Sequence, residues 1–364
     1  MNVQQVVEVI EELCPLNYSE DFDNVGLLVG DKQVEVTGIL VTLDTLENVV
    51  DEAIAKDCNM IVSFHPIIFS GLKKLTGKSY VERVVIKAIQ HQIAIFSMHT
   101  ALDNAFNGVN ARICEALGLK NRKILLPQKD AIKKLVTYVP EASAEKLREA
   151  LFEAGAGQIG NYGNCSFNTP GTGTFKGNAD SNPVVGKKGI THFEKEIQIG
   201  ITYSRHLESK IVKALFKNHP YEEVAYEITT LENNDQHRGM GMIAEFDQAM
   251  SEKDFLELVK IKMKAQVIRH SSFTGKELKK IAVLGGSGAF AIEAAKKAEA
   301  DAFVTSDLKY HDFFKAEGSI LLTDIGHFET EQYTKNLLVE YLKEKIHNFA
   351  IILAESITNP IKYF

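Results

Sequence analysis

Histidines placed four residues before a carboxylate are the feature of this chain with the clearest chemical use. In Asp324-Ile325-Gly326-His327-Phe328-Glu329-Thr330-Glu331 the pair is His327 and Glu331, and in Ser97-Met98-His99-Thr100-Ala101-Leu102-Asp103 it is His99 and Asp103. An i, i+4 spacing puts both side chains on one face of a helix. Each pair follows an apolar run, Ser319-Ile320-Leu321-Leu322-Thr323 in one case and Ile93-Ala94-Ile95-Phe96 in the other. The chemistry therefore falls where a strand ends and a helix begins, the edge at which open α/β sheets bind ligands.

Four of the 11 histidines, His65, His99, His311 and His327, lie at or just beyond the carboxyl ends of expected strands. A single histidine there is usually a surface or capping residue, but four on one sheet edge with Asp103, Asp307 and Glu331 form a mixed imidazole and carboxylate set. Such donors without thiolate suit zinc, iron, manganese or cobalt ions. A carboxylate shared between two ions is how di-metal hydrolytic sites are commonly built. A rival signal is Val283-Leu284-Gly285-Gly286-Ser287-Gly288-Ala289-Phe290-Ala291, which reads G-x-G-x-x-A from Gly286 and has Asp307 about twenty residues on, as a dinucleotide fingerprint has. A glycine turn packing a helix on a strand explains it equally well. G-x-S-x-G fails at Ala289, and no P-loop motif occurs.

The elements that must carry these residues alternate. A first helix spans residues 3 to 14, with Val6, Val7, Ile10, Leu13 and Cys14 on one stripe. Strands follow at Gly38 to Asp44, Met60 to Phe64 and Ile93 to Phe96, separated by helices through Val49 and from Val81 to Gln90. This βαβαβ succession argues for a mostly parallel sheet covered by helices. The far end repeats it, with strands Lys280 to Leu284 and Ala302 to Ser306, a helix Ala289 to Ala300, and a last strand before His327. Asp44 to His65 and Gly286 to Asp307 are both 21 positions apart, which suggests duplicated α/β/α units. Between them lie a strand from Lys133 to Pro140, a helix from Ala144, a segment from Gly155 to Gly189 with nine of the 25 glycines, then a strand, a helix and a strand. That order is the one found in a ferredoxin-like α+β unit. The expected divisions are residues 1–129, the insert 130–235, and 236–364. The glycine-rich stretch is expected to be a mobile loop.

Composition sets the outer bounds. A chain of 364 residues, 45% hydrophobic and 24% charged, can bury a large core or several. No apolar run reaches the roughly 18 residues of a membrane span, and the start lacks the basic and apolar pattern of a secretory signal, so the expectation is a cytoplasmic protein. Cys14, Cys58, Cys114 and Cys165 form no CxxC pair, which argues against a disulfide framework or thiolate zinc. A net charge of −7 with dispersed lysines makes nucleic acid a poor candidate partner and a small molecule a better one.

The motifs together resemble the YbgI-like dinuclear-metal family, the GTP cyclohydrolase I type 2 homologs, whose longer YqfO-type members carry a PII-like or CutA-like insert. The residues that carry the resemblance are Asp23-Asn24-Val25-Gly26, Phe64-His65-Pro66-Ile67-Ile68-Phe69, the His99 to Asp103 stretch, Ser306 to Asp312 and Gly326 to Glu331, with His219-Pro220-Tyr221-Glu222-Glu223 in the insert. The resemblance implies two divalent ions per subunit: His65 and Asp103 on one, His327 on the other, Glu331 bridging, and His99 as a further ligand or close neighbour. It further implies a hexameric ring, with Asp307 and His311 lining the cleft; the first functional reading is then a metal-dependent hydrolase in which Asp307 or His311 moves the proton. The alternative is a regulatory or metal-handling protein whose insert senses a ligand. The family has two adjacent histidines before the proline, and this chain has Phe64 in the first place, so the second ion loses a ligand.

Overall fold

Strands that are apolar at every position need cover on both faces, and the topology of this chain supplies it. The computed structural model describes residues 1–364. In order, it contains α1 (Val3–Leu13), β1 (Gly26–Val29), β2 (Gly38–Thr42), α2 (Glu47–Ala55), β3 (Met60–Ser63), α3 (Tyr80–Gln90), β4 (Ala94–Ser97), α4 (His99–Asp103), α5 (Val109–Leu117) and β5 (Lys120–Gln128). The middle of the chain forms β6 (Ile132–Pro140), α6 (Ala144–Glu153), β7 (Phe167–Phe175), β8 (His192–Ser204), α7 (Glu208–Asn218) and β9 (Tyr226–Thr230). The remainder forms β10 (Asp235–Met250), α8 (Glu252–Lys262), β11 (Arg269–His270), β12 (Leu278–Ser287), α9 (Ile292–Lys297), β13 (Ala302–Ser306), β14 (Leu321–Asp324), α10 (His327–Glu331), α11 (Thr334–Lys345) and β15 (Ala350–Leu353).

Two compact units result: residues 1–127 with 236–364, and residues 128–235. The first holds two sheets, ordered β1-β4-β3-β2-β15 and β11-β14-β13-β12-β10-β5. β15, β2, β3 and β4 run parallel, as do β12, β13 and β14, while β1, β10 and β11 pair antiparallel at or near the edges. Alternation along one strand shows the layering. Ile39 and Val41 of β2 face the core that also buries Ile281, Val283 and Val304, whereas Leu40 between them packs with Val49, Val50 and Val84 of α2 and α3. On the other sheet, Ala282 and Phe303 pack with Ile292 and Ala295 of α9.

Two features depart from a simple reading of repeated halves. β15, from the end of the chain, completes the first sheet beside β2, and β5, from the first stretch, lies in the second sheet. The helix expected from Ala289 to Ala300 is a 3-10 turn followed by the short α9. No helix is long and apolar enough to cross a membrane.

The second unit has the order βαββαβ and an antiparallel sheet β7-β8-β6-β9. Leu135, Val139, Ile199 and Ile201 on one sheet face pack with Leu147 and Leu151 of α6 and Ile211 and Leu215 of α7. The glycine-rich segment is not wholly loop: Phe167 to Phe175 pairs along β8, from Gly200 to His192. Glycine and proline weaken a strand, but β7 is an edge strand, where they are tolerated, and pairing with β8 overrides the local preference.

Candidate metal centre

The site begins with the way strand ends are held. Backbone bonding continues past β3, where Phe64 N donates to Thr42 O (3.2 Å), His65 N to Leu43 O (2.9 Å) and His99 N to Phe64 O (2.9 Å). Ser97 Oγ donates to Phe64 O at 2.6 Å, and Ser63 Oγ to His65 O at 2.9 Å. On the second sheet Ile325 N donates to Thr305 O, which delivers the chain to α10. His327 and Glu331, one helical turn apart on α10, share a face as their spacing requires.

From the two sheets, His65, His327 and Glu331 converge so that their ligating atoms all lie within 4.8 Å of one another. Glu331 Oε2 is 3.1 Å from His65 Nε2 and 3.2 Å from His327 Nε2. Both nitrogens lie within ion-pair distance, yet no hydrogen bond of good geometry reaches this buried oxygen. Asp103 Oδ1 is likewise buried without a partner. Buried oxygens lacking donors are rare and costly, and a cation held by the same imidazoles and carboxylates satisfies them. The donor set thus fits a divalent transition metal.

Each histidine is oriented from behind. His65 Nδ1 lies 2.8 Å from Asp44 Oδ1, and His327 Nδ1 lies 2.6 Å from Asp307 Oδ2. His99 Nδ1 lies 2.8 Å from Asp23 Oδ1, while the other oxygen of Asp23 accepts from Thr100 N and Thr100 Oγ1. In all three an aspartate holds Nδ1 and leaves Nε2 uncommitted to it, the arrangement usual around metal-binding histidines. The rings of His99 and His327 lie 5.3 and 5.5 Å from that of His65. Asp44 is itself held by Thr358 Oγ1 at 2.6 Å, and Ser287 Oγ donates to Asp307.

The electrostatics are those of a charged cluster closing on itself. Burial opposes a charge on His65, but Asp44 and Glu331 outweigh it and push its pKa up to about 10. His327 is likewise disfavoured by burial, yet Asp307 and Glu331 raise it to about 11. Burial works against ionising Glu331, and the flanking His327 and His65 hold it ionised nonetheless. Asp103 goes the other way: burial, reinforced by the charge of Glu331, lifts its pKa well above the ordinary carboxylate range. Two carboxylates within Coulombic reach of each other are thus pushed in opposite directions, a pattern common where titratable groups gather at a site.

Of the ten left-handed non-glycine residues, two lie at the cluster, His99 (φ 32°) and Asp307 (φ 56°), each at a local backbone cost. Gly286 (φ 69°) passes so close that a Cβ there would sit 2.5 Å from Glu331 Oε1. This disposes of the dinucleotide reading. Gly286 N donates to Thr330 Oγ1 (2.9 Å) and Gly285 N to Asn110 Oδ1 (3.0 Å), so these amides are committed within the protein.

Of the residues expected from sequence, His65, His327 and Glu331 meet directly, His99 stands beside His65, and Asp103, outside that trio, lies within reach of the charge of Glu331. Asp307 lies behind His327. His311, exposed on a 3-10 turn, packs against Tyr310 and Phe314. Phe64 is fully buried in the core with its ring 5.7 Å from His99. The sequence reading did not give a role at the site to Asp44, Asp23 or Thr358. The signal for Asp44 was available in its position just beyond the strand preceding His65; Thr358 had none.

The model of the Duf34/NIF3 (NGG1p interacting factor 3) family matches residues 1–360. The GTP cyclohydrolase 1 type 2 homolog of Bacillus subtilis is 34% identical, over 100% of this chain and 99% of its own. Among solved structures, a Bacillus cereus protein related to NIF3 superposes with a TM-score of 0.85 at 34% identity, covering 100% of this chain and 99% of that one. Staphylococcus aureus SA1388 superposes with a TM-score of 0.80 at 31% identity, with the same coverage.

Proposed function

Since the chain belongs to the Duf34/NIF3 family, we propose that it is a divalent-metal protein acting as a hydrolase at the cluster of His65, His327 and Glu331. The observation that carries this reading is the unpartnered, buried Oε2 of Glu331 between two imidazole Nε2 atoms. His65 and Asp103 are assigned to one ion, His327 to a second, and Glu331 to both, with His99 as the additional imidazole. A metal bound there supplies a water of lowered pKa and a Lewis acid for a developing oxyanion. The chain's own part is orientation: Asp44 and Asp307 keep the Nε2 atoms of His65 and His327 on Glu331, Asp23 fixes the His99 ring beside them, and Glu331 supplies a buried negative charge. Asp307 and His311 are the side chains assigned to proton transfer, and the half-exposed carboxylate of Asp307 supports that role better than the stacked ring of His311.

The relatives' name makes a purine ring carbon one electrophile to try, beside phosphoesters and amides. The test is to measure metal content, then assay metal-loaded protein against GTP and a panel of those esters and amides. Loss of bound metal and of turnover in Glu331→Ala supports the proposal; turnover unchanged in that variant removes it. We extend to this chain a cytoplasmic location, a hexameric ring and a PII- or CutA-like reading of the insert, the last supported by its βαββαβ order. Light scattering tests the ring.

A second reading, a regulatory or metal-handling protein without turnover, is favoured by Phe64, an apolar buried ring where the resemblance places a metal ligand. Metal and nucleotide binding without product in the same assays would select it.

A further inference from the structure

The chain stays with the first sheet after β15. Ala354 N donates to Val41 O at 2.9 Å, continuing the pairing with β2 one residue past the strand, and the segment that follows is held from two sides. Glu52 of α2 accepts from Glu355 N and Ser356 N, both at 2.8 Å. Lys335 Nζ of α11 donates to Ala354 O at 3.4 Å. These bonds fix residues 354–356 and deliver Thr358 and Asn359 to the supports of the metal cluster.

Thr358 and Asn359 are neighbours in sequence and take partners on different sheets. Thr358, only 6% exposed, donates from Oγ1 to Asp44 Oδ2 at 2.6 Å, while Asp44 Oδ1 lies 2.8 Å from His65 Nδ1. Both oxygens of that carboxylate are engaged, so it cannot turn without releasing the hydroxyl or the ring. Asn359 donates from Nδ2 to Glu329 Oε1 at 3.3 Å, and its Oδ1 accepts from Ile361 N at 3.0 Å, which fixes the end of the amide that faces the helix. Glu329 is buried on α10, midway between His327 and Glu331. Its carboxylate packs on the start of that helix, since a Cβ on Gly326 would stand 2.2 Å from Oε2. Consecutive Cα atoms are about 3.8 Å apart, so one dipeptide ties the aspartate that holds His65 to the helix that carries His327.

Resting on the metal reading above, we infer that residues 354–359 form a strap that sets the spacing between the two imidazoles of the metal cluster, with Thr358 and Asn359 as its positioning residues. The requirement is geometric. His65 Nε2 and His327 Nε2 lie 3.1 and 3.2 Å from Glu331 Oε2, but they come from different sheets, so their separation depends on what joins the sheets and not on either element alone. A ligand set works only when held to within about 0.5 Å, and groups one bond behind the ligands are worth about 10–100-fold in metal affinity. On the second sheet Ser287 fixes Asp307. Thr358 does the same for Asp44 on the first, and Asn359 joins that support to α10.

The experiment is titration of the full chain with zinc against a chelating dye, comparing the parent with Thr358→Val, Thr358→Ser, Asn359→Ala and Ser356→Ala, each also melted without metal. Valine keeps the shape of threonine without the hydroxyl, and serine keeps the hydroxyl. Ser356, whose Oγ lies 3.4 Å from Asn48 O, reports on the strap away from Asp44. The expected result is a zinc affinity about tenfold lower in Thr358→Val, recovered in Thr358→Ser, lowered less in Asn359→Ala because its bond is longer, and unchanged in Ser356→Ala. Parent affinity in Thr358→Val, or an equal loss in Ser356→Ala, overturns the strap. Should Thr358→Val fold poorly, Asn359→Ala carries the test, and parent affinity there overturns it. A parent chain that takes up no zinc, or takes it up equally in Glu331→Ala, sinks the metal reading instead. The strap is then judged in the metal-free protein by the rate at which diethyl pyrocarbonate modifies His65: faster reaction in Thr358→Val than in Thr358→Ser supports it, and equal rates overturn it.

Discussion

Asp307 Oδ2 lies 2.6 Å from His327 Nδ1, twenty positions apart in the chain and side by side at the ends of adjacent parallel strands. Asp44 and His65 repeat the relationship on the other sheet, at 2.8 Å and 21 positions. One strand ends in the aspartate and its parallel neighbour delivers the histidine. Substituting asparagine for either aspartate keeps the shape but removes the charge that holds the ring. Asp307→Asn and Asp44→Asn are each expected to weaken metal binding by about 10–100-fold with little change in folding, as read by competition with a chelating dye and by circular dichroism.

Metal uptake is expected to release protons. In the metal-free protein His65 and His327 titrate near 10 and 11, well above the ordinary imidazole value, so both are charged at neutral pH. Metal requires neutral imidazole. Calorimetry in buffers of different ionisation enthalpy should therefore show release of about two protons per chain from these imidazoles, with a further contribution from Asp103, whose raised pKa must also be overcome for it to ligate, and affinity climbing as pH rises. Without metal the linkage has the opposite sense. These raised pKa values contribute stability that is full below the unfolded value of 6.5 and is lost as pH rises toward 10 to 11.

Gly286→Ala tests the close approach to Glu331. The added Cβ would be 2.5 Å from Oε1 in a backbone region that alanine avoids. The expected outcome is a lowered metal content with a melting temperature reduced by only a few degrees, for a cost of about 1–2 kcal/mol.

Phe64→His is expected to raise the metal-to-protein ratio measured by elemental analysis, because it returns an imidazole beside His99. It should also cost stability, about 3 kcal/mol, since a fully buried aromatic ring is exchanged for a polar one. An unchanged ratio in folded protein would show that Phe64 does not limit occupancy.

Glu52 links the chain's end to acid stability. Its carboxylate accepts from Glu355 N and Ser356 N, both at 2.8 Å, and from Lys56 Nζ at 2.9 Å. Partial burial would raise its pKa, but these donors lower it to about 2 from an ordinary 4.5. The stabilisation is present above 4.5 and disappears as pH falls toward 2, on the order of 1–2 kcal/mol after solvent screening. Glu52→Gln should lower the melting temperature at pH 7, and the gap from the parent protein should close on acidification. Because the same segment carries Thr358 to Asp44, the variant is also expected to loosen metal binding.

Local pattern was enough to place the histidines. Strand periodicity, the positions of His65, His99 and His327 after apolar runs, and the four-residue spacing of His327 and Glu331 all follow from side-chain direction along regular elements, which depends on nothing distant. The exchange of β5 and β15 between sheets could not be read that way, because pairing is chosen by tertiary packing and not by a strand's own residues. β7 likewise became a strand only through β8. The same reason separates ligands from their supports. His65 and Glu331 announce themselves by type and spacing, whereas Thr358 reaches Asp44 across 314 positions, a contact made by the path of the folded chain.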